Sequence, residues 1–307
     1  MITANDVRRA AGVLDGVVHR TPAIRSRTLG EGIVLKPENL QRAGSFKIRG
    51  AYNMISSLER GANVVAFSSG NHAQAVALAS RLLGARATIL MPEDAPELKL
   101  AATKGYGAEV ITYERYTGDR VAIAAGLADE RSATVVPPFD HPLIMAGAGT
   151  AALELIEDAG PFDAIVTPVG GGGLVSGTAV IAKELGVARV VGVEPEAGND
   201  WQQSLASGEI VSIPVPRTIA DGLQTTGPGA HTWETGSQVV DEIVTVTDAQ
   251  LLDAMRFAFE RLKLVIEPSG AAGIAAVQAG LVPGERIGVI VSGGNVGADR
   301  FAELLDS

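Results

Sequence analysis

Short runs of β-branched and aliphatic residues alternate with amphipathic stretches along almost the whole chain. The apolar runs predict strands over 33–36, 63–67, 87–91, 109–112, 164–167, 189–193 and 286–291. Helical periodicity predicts helices over 73–83, 98–104, 121–129, 143–158, 174–185 and 249–262, with further helices at the N-terminus (1–16) and over 46–60. Strands alternating with helices of this length imply βαβ units and a parallel sheet, hence an α/β protein. The adjacent prolines of "VVPPFDHP" (135–142) make the clearest break, and 197–231 is loop-rich. Segment lengths suggest a four-unit α/β block from about residue 52 to 140, flanked by the rest.

Composition narrows the partners. At 307 residues the chain is long enough for one large or two smaller domains, and 46% of it is hydrophobic. The balance of 25 basic against 35 acidic residues gives −10, which argues against nucleic acid or an anionic membrane as partner. There is no cysteine, so thiolate metal sites and disulfides are excluded. No apolar run reaches the roughly 18 residues of a membrane span. The first residues lack the apolar segment of a signal peptide. A cytoplasmic location is the expectation.

The candidate chemistry sits at turns. Lys47 opens a helix after a Gly-Ser turn. There the helix dipole disfavours an ammonium and lowers the amine's pKa, which suits a nucleophile. The plain alternative is a surface lysine. "SSGNH", from Ser68 and Ser69 through Gly70, Asn71 and His72, joins a strand to a helix and makes a nest for a carboxylate, or a simple N-cap. Gly170, Gly171, Gly172 and Gly173 stand between the next strand and helix. Four glycines there favour close approach of backbone N–H groups to a phosphate. No register through them yields G-x-G-x-x-G, and no Gly-Lys-Ser/Thr follows, so dinucleotide and P-loop folds fail. "VEPEAGND" offers Glu194, Gly198 and Asp200 to a hard cation such as Mg²⁺ or Ca²⁺, unless the loop is merely acidic and solvated. Ser292 ends the last strand as a lone hydroxyl. An amine nucleophile, a phosphate cradle and a carboxylate nest together fit pyridoxal 5′-phosphate and an amino-acid substrate.

"GSFKIRGA", "SSGNHAQ", "VGGGGLVSG", "IADG", "IEPSGAAG" and "SGGN" occur in the order found in the serine/threonine dehydratase and serine racemase family, which the chain resembles over nearly its whole length. The resemblance implies fold type II, the tryptophan synthase beta-like arrangement of two open, mostly parallel sheets flanked by helices. Residues 1–52 and 143–307 would form a large cofactor-binding domain and 53–142 a small mobile one. No C-terminal regulatory domain is expected, and a homodimer is. Lys47 would carry the cofactor, Phe46 pack on its ring, Asn71 bond its 3-oxygen, Gly170–Gly173 hold its phosphate, Gly222 line it and Ser292 face its ring nitrogen. Ser68, Ser69, Gly70, Asn71 and His72 would receive the substrate carboxylate. Glu194, the Gly198 carbonyl and Asp200 match the divalent-cation site of racemase-like members.

The implied reaction is α,β-elimination from L-threonine or L-serine to a 2-oxo acid and ammonia. Serine racemase or 3-hydroxyaspartate ammonia-lyase is the alternative, and a cofactor-binding protein without turnover is the remote one. Ser69, a serine in racemase-like members, would reprotonate from the face opposite Lys47. Arg120 would bind a second substrate carboxylate or pair with Glu267, if it is not simply solvated. Pro138, where the family often has histidine, and Ala148, in place of an amide, depart from the pattern near the junction of the two blocks.

Overall fold

The computed structural model describes residues 1–68, 70–95, 97–114 and 119–306, with the side chains of Leu98, Lys99 and Arg120 outside that description. The chain runs through α1 (Ala4–Leu14), β1 (Ile24–Arg25), β2 (Ile33–Pro37) and α2 (Lys47–Ile55). A second block holds β3 (Asn63–Phe67), α3 (Asn71–Leu83), β4 (Arg86–Pro92), α4 (Glu97–Gly105), β5 (Glu109–Tyr113), α5 (Arg120–Arg131) and β6 (Ala133–Val135). Next come α6 (Pro142–Ala159), β7 (Ala164–Pro168), α7 (Gly173–Glu184), β8 (Arg189–Pro195), α8 (Asp200–Ser207) and α9 (Ala230–Val239). The chain closes with β9 (Glu242–Val246), α10 (Asp248–Phe257), α11 (Pro268–Gln278), β10 (Ile287–Val291) and α12 (Ala298–Asp306).

Two sheets result. One has the order β1-β2-β10-β7-β8-β9 and is parallel except where β1 meets β2. The other, β5-β4-β3-β6, is parallel throughout, and its strands all fall between residues 63 and 135. This is the expected α/β architecture of two mainly parallel sheets with flanking helices. Each of the seven predicted strands forms, with ends shifted by a residue or two. Among the described residues, no helix is long and apolar enough to cross a membrane.

Departures from the periodicity have local causes. The helix expected over 46–60 stops at Ile55 because the Ser56 and Ser57 hydroxyls donate to the carbonyls of Asn53 and Met54, closing the last turn. The predicted 249–262 helix is α10 plus a π-turn at Ala258–Leu262. The helix α11 gave no amphipathic signal because Pro268 to Ala276 is buried on every side.

A buried ionic cluster anchors α2, the helix that begins with Lys47. Arg49, with no exposed surface, bonds Glu38 at 2.7 and 2.8 Å and Glu154 of α6 at 2.7 and 2.8 Å. Lys36 of β2 reaches Glu154 at 2.6 Å and the Thr21 carbonyl at 2.7 Å. Burial raises the Glu38 carboxyl, but the adjacent Arg49 guanidinium outweighs it and holds Glu38 below its ordinary range. The network thus ties strand, helix and helix together at the root of the site.

Candidate active site

Lys47 is the first residue of α2, as expected. Its Nζ donates to the Pro138 carbonyl at 2.7 Å and lies 5.0 Å from the Phe46 ring centroid. Burial lowers its pKa to about 8, partly opposed by the Glu267 carboxylate. The direction matches the expectation, and desolvation is the main cause. An amine so shifted keeps an appreciable neutral fraction at neutral pH.

The six-stranded sheet delivers two further pieces at its carboxyl edge, where ligands collect in open α/β folds. Ser292 follows β10, is buried, and accepts from the Phe46 amide through its carbonyl at 3.1 Å. The glycines follow β7 and lead into α7. Among the described residues, the amides of Gly170 to Gly173 find no acceptor, leaving four donors at one helix start. Gly172 has φ +96°, and a Cβ there would overlap the Trp201 indole; a Cβ at Gly171 would overlap the Phe139 ring. Glycine is therefore needed for packing as well as for donor exposure. The Gly222 carbonyl would lie 3.2 Å from a Cβ at Gly170, and the Gly222 amide donates to Ser269 at 2.9 Å.

The four-stranded sheet contributes "SSGNH" between β3 and α3. The Gly70 amide donates to Ser68 Oγ at 3.2 Å. Asn71 Nδ2 donates to Glu267 at 2.6 Å, while its oxygen accepts from Asn295 at 2.8 Å, which still leaves one Asn71 N–H for a ligand. The His72 ring points inward: Nε2 meets the Val136 carbonyl at 2.8 Å, and burial, aided by Lys47, pushes its pKa down to about 3. The neutral ring is thus a structural donor, and only its backbone amide belongs to the nest. Ser69 lies outside the described residues, as does the side chain of Arg120, which opens α5.

Glu194 ends β8 and Asp200 opens α8, both with no exposed surface. Glu194 accepts from the amides of Trp201 at 3.0 Å and Gln202 at 2.9 Å. Burial, then the Asp200 carboxylate, raises its pKa to about 9, and burial raises that of Asp200 to about 6. Both Asp200 oxygens are buried without a hydrogen-bond partner. Gly198 is buried in the turn between them. Among the described residues, no three acidic or histidine side chains gather at one point, so this donor set is two carboxylates plus backbone oxygen. An uncompensated pair of buried carboxylates fits a hard divalent cation.

A cradle of free amides, a depressed lysine and a carboxylate nest are the parts that pyridoxal phosphate requires, and the chain matches the family model described as pyridoxal-phosphate dependent enzyme over residues 14–293. The chain belongs to that family. It is 50% identical to an L-threo-3-hydroxyaspartate ammonia-lyase of a Pseudomonas species, over 98% of both chains. It is 47% identical to a serine racemase of Schizosaccharomyces pombe, over 99% of this chain and 97% of the other. The structure of maize serine racemase superposes with a TM-score of 0.93 at 36% identity, covering 98% of this chain and 96% of that one. The protein is thus a fold type II pyridoxal-phosphate enzyme of the ammonia-lyase and racemase group, and the residues present fit the cofactor.

The structure adds residues to which sequence reasoning gave no role. Asn295, inside the "SGGN" motif, orients Asn71 and donates to the Ala43 carbonyl at 2.7 Å. Asp140 accepts from the amides of Ala230, His231 and Thr232, and the Thr232 hydroxyl donates to the Gly171 carbonyl at 2.7 Å. The linker 137–140 therefore touches Lys47 through Pro138, the glycines through Phe139 and α9 through Asp140. The double proline was legible as a break but not as part of the site.

Proposed function

We propose that the protein is an ammonia-lyase that eliminates water from a β-hydroxy L-amino acid, with L-threo-3-hydroxyaspartate as preferred substrate and L-serine and L-threonine as others. The reading rests on Lys47, an amine of pKa about 8 enclosed at the junction of the two sheets' loops. Identities of 50% and 49% to two L-threo-3-hydroxyaspartate ammonia-lyases support the substrate order. A dicarboxylic substrate needs a second cation, and Arg120 at the start of α5 is our candidate.

When bound, the cofactor withdraws electrons from the substrate's α-carbon. Lys47 Nζ removes the α-proton, and the β-hydroxyl leaves with a proton as water. The unsaturated amine released hydrolyses to a 2-oxo acid and ammonia. Amides of Gly170–Gly173 would hold the phosphate, Asn71 the 3-oxygen, Phe46 and Gly222 the ring, and the Ser292 hydroxyl the ring nitrogen. Ser68, Ser69, Gly70 and the Asn71 and His72 amides would bind the α-carboxylate. Glu194, Gly198 and Asp200 would hold Mg²⁺ or Ca²⁺. We further propose that block 53–142 closes over substrate and that the enzyme works as a cytoplasmic homodimer.

Serine racemisation is the second reading, favoured by the 47% identity to a serine racemase and by Ser69 as a proton donor opposite Lys47. Incubation with L-threo-3-hydroxyaspartate, L-serine and L-threonine, assaying 2-oxo acid and chiral amino acid together, tests both. The lyase reading expects oxo acid from hydroxyaspartate fastest; D-serine as main product from L-serine would replace it with the racemase. Ser69→Ala is expected to lower D-serine formation by roughly 10²-fold or more while elimination stays within about tenfold. Equal loss of both activities would remove Ser69 from the proton transfer.

Cation removal has its own readout. A ligand at 100 times its Kd contributes about 2.7 kcal/mol, so chelator should lower the parent's melting midpoint by roughly 5 °C. The midpoint of Asp200→Ala should ignore chelator. A parent that melts alike with Mg²⁺ and with chelator has no such site.

A further inference from the structure

Buried polar atoms without partners are rare and mark missing ligands or strain. Eight such side-chain atoms occur among the described residues, and four belong to Asp200 of the acidic pair or to side chains that reach from that pair to the glycine cradle: both Asp200 oxygens, Trp201 Nε1 and Thr225 Oγ1. The other four are single atoms on Asn39, Ser45, Ser80 and Thr178. The concentration singles out this volume.

Two side chains span it. The Trp201 backbone amide donates to Glu194, while its indole, with no exposed surface, lies against Gly172, where a Cβ would come within 2.9 Å of Nε1. Thr225 sits with Cγ2 3.5 Å from the Cβ position of Gly170, and its hydroxyl faces the Asp200 carboxylate and holds its pKa down. Each residue thus touches one glycine of the cradle and one carboxylate of the acidic pair. The indole stacks on Trp233 of α9 at 5.7 Å, tilted by 53°, and a Cβ at Gly236 would also crowd it. So confined a ring cannot move at one site without disturbing the other.

We propose that Trp201 and Thr225 are positioning residues that couple the acidic pair to the glycine cradle, so that a divalent cation at Glu194 and Asp200 tightens binding of the cofactor's phosphate. The proposal rests on reading that pair as a cation site. Cation occupancy holds α8 at its N-terminus, and so keeps the indole against Gly172 and the four amides aligned. The free indole N–H and Thr225 hydroxyl are then donors available to the phosphate or to water it orders. Linkage makes the effect reciprocal: the cofactor must tighten the cation by the same factor.

The test uses full-length apoprotein titrated with pyridoxal phosphate in MgCl₂ and in EDTA, and holo- and apoprotein titrated calorimetrically with MgCl₂. The parent should bind pyridoxal phosphate about tenfold more tightly with Mg²⁺, within the usual range of coupling. Trp201→Phe and Thr225→Val should still bind Mg²⁺ but show a difference of about twofold or less. If the parent binds Mg²⁺ yet its cofactor affinity is unchanged, or both variants keep the full effect, the coupling is overturned while the cation site stands. If the parent binds no Mg²⁺, both fall.

A second measurement needs no change at Trp201. The chain has two tryptophans, so Trp233→Phe leaves Trp201 as sole emitter. Its emission should shift with MgCl₂ alone and with inorganic phosphate alone. Emission indifferent to both ions overturns the proposal.

Discussion

Lys47→Ala abolishes turnover and the visible absorbance of lysine-bound pyridoxal phosphate. In the proposed reaction one side chain serves as the attachment point and as the base for the α-proton, so its loss is expected to lower kcat/KM by at least about 10⁴-fold. Circular dichroism should stay native, because the amine's partner is one carbonyl, at Pro138. A mutant that keeps its visible band after purification would refute the assignment. The parent carries a matching pH signature. Burial lowers the Lys47 pKa from 10.5 to about 8, and only the neutral amine attacks an aldehyde. About a tenth of the amine is then free at pH 7, against roughly three in ten thousand for an ordinary lysine. Attachment of pyridoxal phosphate to apoprotein should therefore rise about tenfold per pH unit below 8 and level off above it. A midpoint at 10 or higher would show an unshifted lysine.

Arg49→Met produces the largest loss of stability expected of a single substitution here. It strands Glu38, with no exposed surface, as a buried carboxylate whose main counter-charge is gone, and takes one of two cationic partners from the mostly buried Glu154. Breaking a buried pair from one side costs about 3–5 kcal/mol, so the melting midpoint should fall by roughly 5–8 °C. Lys36 still neutralises Glu154, so Glu38→Gln added to Arg49→Met should recover a measurable part of the loss. Urea unfolding of the parent, single and double variants measures each step. A loss below about 1 kcal/mol for Arg49→Met would mean that water reaches the cluster. The arginine stands two residues after Lys47 on the same helix, so the variant should also bind pyridoxal phosphate more weakly.

Much of this protein could be read from one dimension. Strand and helix periodicities fall on the observed elements because both sheets are parallel, and each strand is a short apolar run between helices. The glycine quartet and the lysine at a helix start could be read because each is locally unfavourable, and a local cost points to a use. The two-residue β1 was not legible, since a run that short carries no period, and the three-residue β6 was marked only by the adjacent prolines that end it. Nor was α11, whose uniform burial erases the polar face that marks a helix. The inward turn of His72 was also hidden, because it depends on the Val136 carbonyl across the small sheet.

Sequence alone thus pointed to the family, the cofactor and the kind of chemistry, and named the candidates for nucleophile, cradle and nest in their order along the chain. Tertiary structure decided how they are tuned and joined. Burial lowers the Lys47 pKa, and only the packed protein excludes the water that would hydrate the ammonium. Glu267, Asn295 and Asp140 gained their places from partners as distant as Asn71, 196 and 224 residues away from the first two. Trp201 came to lie between the acidic pair and Gly172 because its amide is held by Glu194 while its indole packs on the glycine that precedes α7. Local patterns record what each segment does to itself; desolvation and long-range hydrogen bonds exist only once the segments have packed.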